Sequence, residues 1–135
     1  MATFTKVLSF TEAVAEKVHN LGSDTLTIAL TNTTPTTTWT QLSDLTEVSY
    51  TNLSSRVITT TSSSQTTGTY KLVLADLLLT ASGAVGPFQY IYVYNDDATN
   101  DELIAYFDYG SEVTLADGNT FNCDFSAANG LLTIA

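Results

Sequence analysis

Apolar residues recur along this chain with two different periods. Across residues 9–22 (SFTEAVAEKVHNLG), Phe10, Ala13, Val14, Val18 and Leu21 return at helical spacing. Ser9 with Glu12 three positions on has the form of a capping box, and Gly22 is a natural stop. The pattern predicts one short amphipathic helix. From Asp24 the period drops to two. In residues 24–31 (DTLTIALT), Leu26, Ile28 and Leu30 alternate with Thr25, Thr27, Ala29 and Thr31. That predicts a half-buried strand with its threonines outward.

The alternation continues, broken by turn residues. Pro35 and its polar neighbours predict a loop, and residues 39–48 a helical turn carrying Trp39, Leu42, Leu45 and Val48 inward. Residues 57–61 are expected to pair with 70–74 across a flexible SSSQTTG link, and a further strand starts near Asp76 and ends at Gly83. Residues 88–94 set Phe88, Tyr90, Tyr92 and Tyr94 on one face and Ile91 and Val93 on the other. Two apolar faces predict a central strand covered on both sides, meeting water at Asn95-Asp96-Asp97. Residues 102–110 form the next strand, joined through the polar loop NDDATNDE. Asp117-Gly118 predicts a hairpin between two alternating runs, and a last strand follows the Asn129-Gly130 turn. Seven to nine short strands with one leading helix predict an all-β, antiparallel β-sandwich or jelly roll. The whole of 1–135 reads as a single domain, with 1–22 as N-terminal segment and helix.

Composition sharpens this. Charged residues are 13% of the chain, about half the usual share, and Ser and Thr fill the gap. A Thr-rich, weakly charged surface suits sheets. There are 14 acids against 4 bases, a net charge of −10. Lys6, Lys17, Arg56 and Lys71 are too few and too scattered to displace counterions from nucleic acid or to hold an anionic membrane. The balance fits docking onto something basic. The N-terminus lacks the continuous apolar stretch of a cleaved signal, so synthesis and folding in a cytoplasm are expected.

Reactive constellations are hard to assemble. Cys123, the single Cys, alternates with Phe121 and Phe125 and reads as a buried small hydrophobe. His19, the single His, reads as a partly exposed residue at the helix C-terminus, favoured by the dipole. Asp96, Asp97 and Asp101 would be the ligands of a cation, but their spacing is not that of a calcium loop. Asp108, Glu112 and Asp124 could supply an acid pair for glycoside hydrolysis, a signal any acidic chain produces. The aromatics Tyr90, Tyr92, Tyr94, Tyr106, Phe107 and Tyr109 fit either a sugar-stacking platform or a core. No catalytic, cofactor or metal residues are assigned, and no small-molecule substrate is expected.

Three stretches together resemble a known family: DTLTIALTNTTP after a short helix, LTASGAVGPFQYIYVYND in the middle, and LIAYFDYGSEVTLADGNTFNCDFSAANGLLTI at the end. They resemble small structural proteins of tailed bacteriophages, in which a tASGG-x-GPF-y approach leads to a YND strand end, a DyG step and a final dG hairpin. Ala84 stands where the family often has a second Gly, and Cys123 where Val is usual. The resemblance covers most of the chain and is weakest over residues 36–68. It implies a capsid decoration, or cement, protein: no enzyme, no cofactor, a homotrimer on the capsid exterior, bound to the major capsid protein after synthesis in the host cytoplasm. A tail, baseplate or fibre component is the neighbouring reading, and a carbohydrate-binding module the one from another class. Phe4, Val7, Leu8 and Phe10 are the candidate docking residues, unless they cover an open end of the sandwich. Trp39, in the proline loop, is a further anchor.

Overall fold

The computed structural model describes residues 2–135. In chain order the elements are β1 Thr3–Lys6, α1 Phe10–Ala15, β2 Leu26–Thr31, β3 Val57–Ile58, β4 Thr60–Thr66, β5 Thr69–Leu74, β6 Leu77–Thr80, β7 Val85–Asn95, β8 Leu103–Leu115, β9 Thr120–Cys123 and β10 Leu132–Ile134. A 3-10 turn at Leu42–Asp44 stands where the inward helical turn is expected. The strands form three antiparallel sheets, ordered β1-β8-β7-β2-β3, β10-β5-β4 and β6-β9. The chain is thus predominantly β, with one lone helix.

The strand β7 is central, as its two apolar faces predict. On one face Ile91 and Val93 join Leu26, Ile28 and Leu30 of β2 in the main core, which β5, β6, β9 and Phe10 of α1 complete. On the other face Tyr90, Tyr92 and Tyr94 join Ala29 and Leu103 in a second cluster, with Trp39, Leu42 and Leu45 packed over it. The segment after β2 folds back as a lid on this tyrosine face. That lid overturns the expected exposure of the β2 threonines: all six β2 residues are buried. The hydroxyl of Thr31, fully enclosed, donates to the Thr46 carbonyl at 2.7 Å, which offsets the cost of burying it.

Two irregularities in β8 reset the alternation. Val93 faces Ala105 and Tyr94 faces Leu103, so one residue on β8 is extra. Ile104 and Ala105 consequently both reach the main core. Further along, Phe88 faces Val113 while Tyr90 faces Asp108: two steps on β7 against five on β8. Phe88 leaves the tyrosine face and enters the main core, edge-on to Phe121 at 5.3 Å. The expected grouping of Phe88 with the three tyrosines is therefore corrected.

Other expectations shift for local reasons. The helix ends at Ala15, seven residues before Gly22, because Lys17 adopts φ 68° and turns the chain. Ser9 makes no side-chain cap bond. The SSSQTTG link is mostly strand, and only Thr67-Gly68 turns between β4 and β5. Asp117-Gly118 does turn, with Asn119 N donating to the Ala116 carbonyl at 2.9 Å. The arms then part, because β9 pairs with β6 rather than β8.

Candidate functional site

The five-stranded sheet has two edges of different construction. At the β2 side, β3 covers only Leu26 and Thr27. Beyond it, side chains and backbone of the segment after β2 together do the work of a strand. Ile28 N donates to the Arg56 carbonyl at 3.1 Å. Leu30 N donates to the Tyr50 hydroxyl at 2.9 Å, and that hydroxyl donates to Glu47 Oε1 at 2.7 Å. Arg56 Nη1 donates to the Ile28 carbonyl at 2.6 Å, and its guanidinium lies 3.7 Å from the Tyr50 ring centroid. Burial and the Glu47 carboxylate hold the Tyr50 phenol well above its ordinary pKa. The single Arg therefore serves as a structural clamp. Sequence reasoning missed this trio, because a lone Arg six residues after a Tyr carries no signal of the edge it closes.

The other edge is β1, all four residues of which are exposed. Here the five candidate docking residues divide. Val7 and Phe10 are buried, at 6% and 3% exposure, which corrects their assignment to a free surface. Val7 N donates to the Ile104 carbonyl at 3.0 Å, and its side chain enters the tyrosine cluster. Phe10 enters the main core, its ring 5.4 Å from that of His19. Phe4 and Leu8 are exposed, Leu8 at 63%. Trp39 is half-buried, its ring 6.1 Å from that of Tyr92. Leu8 and Trp39, with Pro35, Thr36 and Thr37, line one shallow depression. The N-terminal turn and the proline loop, distant in sequence, thus form one surface.

The titratable residues fall elsewhere. His19 is buried beyond the end of α1, not partly exposed on it. Its Nδ1 sits 3.0 Å from Asn95 Nδ2, which also donates to Asp24 Oδ2 at 2.6 Å. That arrangement puts the neutral ring's proton on Nε2, which is buried without a partner. Burial holds the imidazole below its ordinary pKa, against the opposing pull of Glu102 and Asp24. Asn95, wholly enclosed at the end of β7, is a residue that its place in a polar turn hid.

Among the acids, Asp97 Oδ2 accepts from Thr25 N at 2.6 Å, fastening the β7–β8 loop to the start of β2. Burial raises the Asp101 carboxyl above its ordinary pKa, with Asp96 and Glu102 adding to it. Among the described residues, no three His, Cys, Asp or Glu side chains are grouped to share a metal ion. Asp108 holds Gln89 Nε2 at 3.0 Å, Glu112 bonds Asn32, and Asp124 accepts from Ser126 N at 2.8 Å. Asp124 lines a cleft beside Phe107, Tyr109 and Phe121. Tyr90, Tyr92 and Tyr94 are 9%, 1% and 4% exposed, so they cannot stack on a sugar. Burial pushes the Cys123 thiol up to about 12, with Asp76 adding to it, and the residue is the buried small hydrophobe its pattern predicts. No family model, curated protein or solved structure matches the chain.

Proposed function

We propose that this chain is a structural protein of a tailed-bacteriophage virion: a head decoration, or cement, protein that binds the assembled major capsid lattice from outside. In this reading its sheets make an antiparallel sandwich of jelly-roll type, three copies form a ring, and no cofactor takes part. The observation that carries the reading is the surface on which Leu8 and Trp39 converge. An aliphatic side chain 63% exposed beside a half-buried Trp is the composition of an interface anchor.

The resemblance fits this fold too: one of its glycines has a structural reason, and its two departures are accommodated. Gly86 has φ +115°, and a Cβ there would lie 2.7 Å from the Val113 carbonyl oxygen. Only Gly is comfortable at that position. Ala84 replaces Gly without strain, since it is not among the positive-φ residues. Cys123 replaces Val as another small buried apolar group. A protein that binds only the assembled lattice stabilises it by mass action, and several copies add avidity.

The test is to add the purified chain to empty heads and follow their melting by calorimetry. The expected result is a raised head melting temperature, lost with Leu8→Ser/Trp39→Ala. Co-purification with tails and indifference to heads moves the chain to the tail, baseplate or fibre reading.

A further inference from the structure

A second surface lies on the main-core side of β1. It is a groove of about 660 Å³ between β1 and β10, floored by Phe10, Val14 and Leu131. Both strands end their sheets, so each has one side without a strand neighbour. From β1 the groove takes Phe4 and Lys6, two residues on one face. From β10 it takes Leu132, Thr133 and Ile134 in succession. Consecutive residues line a groove when a strand presents its edge to it, since side chains alone would alternate. The β10 backbone edge therefore borders an apolar channel, with Phe4 and Ile134 each 38% exposed beside it.

The charge of this region differs from that of the rest of the chain. Arg56 is consumed at the far edge. Two of the three lysines stand here. Lys6 lines the groove. Lys71 borders it, its Cγ lying 2.8 Å from where a Cβ on Gly130 would stand. Lys17 stands apart, in a neighbouring depression that Asp24 and Asp97 also line. Lys6 donates to Thr11 Oγ1 at 2.9 Å and Lys71 to the Ala128 carbonyl at 3.2 Å, both neutral partners that leave the charge uncancelled. No Asp or Glu side chain lines the groove among the described residues, in a chain of net charge −10.

We propose that this groove is a strand-addition site for an extended segment of a partner protein in which apolar residues alternate with carboxylates. The free β10 edge supplies main-chain hydrogen bonds, the channel takes the apolar side chains, and the lysines take the acids. The rest of the surface, being acidic, repels the same segment, so the site is selected by charge as well as shape.

The probe is an end-blocked octapeptide alternating Val and Glu, titrated into the full chain and followed by amide NMR. Shifts are expected in β1, α1 and β10. A Val/Lys peptide of the same pattern is expected not to bind. Lys71→Glu, or raising salt to about 0.5 M, is expected to weaken the Val/Glu peptide several-fold, as screened rim charges do. Ile134→Ser tests the apolar half, and salt keeps the charge test available should Lys71→Glu fold poorly. Equal binding of both peptides, shifts confined elsewhere, or a groove filled by self-association of the free chain each overturns the proposal. The inference does not rest on head binding: Leu8→Ser and Trp39→Ala probe heads, while Lys71→Glu and Ile134→Ser probe the peptide, so either can fail alone.

Discussion

The two ends of the five-stranded sheet solve one problem in opposite ways. A terminal strand leaves amide and carbonyl groups without partners, which invites pairing with another chain. At β2, Tyr50, Arg56 and the backbone of the lid segment take those groups up. Nothing further can add there without displacing a hydroxyl and a guanidinium. At β1 and across to β10, neither outer edge has a strand neighbour among the described residues, and apolar residues and lysines line the gap. The difference teaches where the molecule spends its scarce cations: Arg56 closes one edge from within, and Lys6 and Lys71 stand beside the edge left open.

Replacing the clamp should break the comparison most strongly. Arg56→Ala removes a charged hydrogen bond to Ile28 and the contact with the Tyr50 face, and should cost about 3 kcal/mol in chemical denaturation. Tyr50→Phe keeps the ring but leaves the Leu30 amide unpaired, and should cost about 2 kcal/mol. Leu8→Ser, on the open side, should stay within about 0.5 kcal/mol, since that side chain is 63% exposed. A clamp variant as mild as this one would erase the distinction between the edges.

Titration should separate the same two regions. The phenol of Tyr50 is raised in the folded state, so the unfolded chain loses its proton first as the solution turns alkaline. Stability from this group is complete below the ordinary Tyr value of about 10 and falls as pH rises above it. Buried Tyr92 and Tyr94, also raised, act in the same direction. The imidazole of His19, beside the open side, is lowered, so the unfolded chain takes up its proton first in acid. Its contribution is complete above its unfolded value of 6.5 and falls as pH drops from there toward the lower folded value. Denaturation midpoints across pH should show both slopes. His19→Gln, which keeps an acceptor for Asn95, should flatten the acid one only.

Much of the architecture was legible in the residues themselves. Alternating Tyr with Ile and Val marked β7 as central, because only a strand covered on both sides tolerates two apolar faces. What escaped was set by contacts distant in sequence. Val18 and Leu21 keep helical spacing, yet Lys17 turns the backbone before them. Asp117-Gly118 encodes a turn but not the partner of the strand that follows it. Phe88 keeps the alternation of its tyrosine neighbours in sequence and loses it to a slip in β8, the opposite strand. At the N-terminus, Phe4, Val7, Leu8 and Phe10 look equally apolar on paper. Two cover the interior and two face solvent, because Val7 pairs with Ile104 and Phe10 seats against His19.

The inertness of Cys123 has a practical use. Its sulfur lies inside the main core with its acidity suppressed, so maleimides and oxidants find no thiolate at neutral pH. A cysteine engineered at an exposed position such as Leu8 would be the sole reactive handle on the molecule. One gold cluster or fluorophore could then be attached per copy, in the native background and without first deleting the natural thiol.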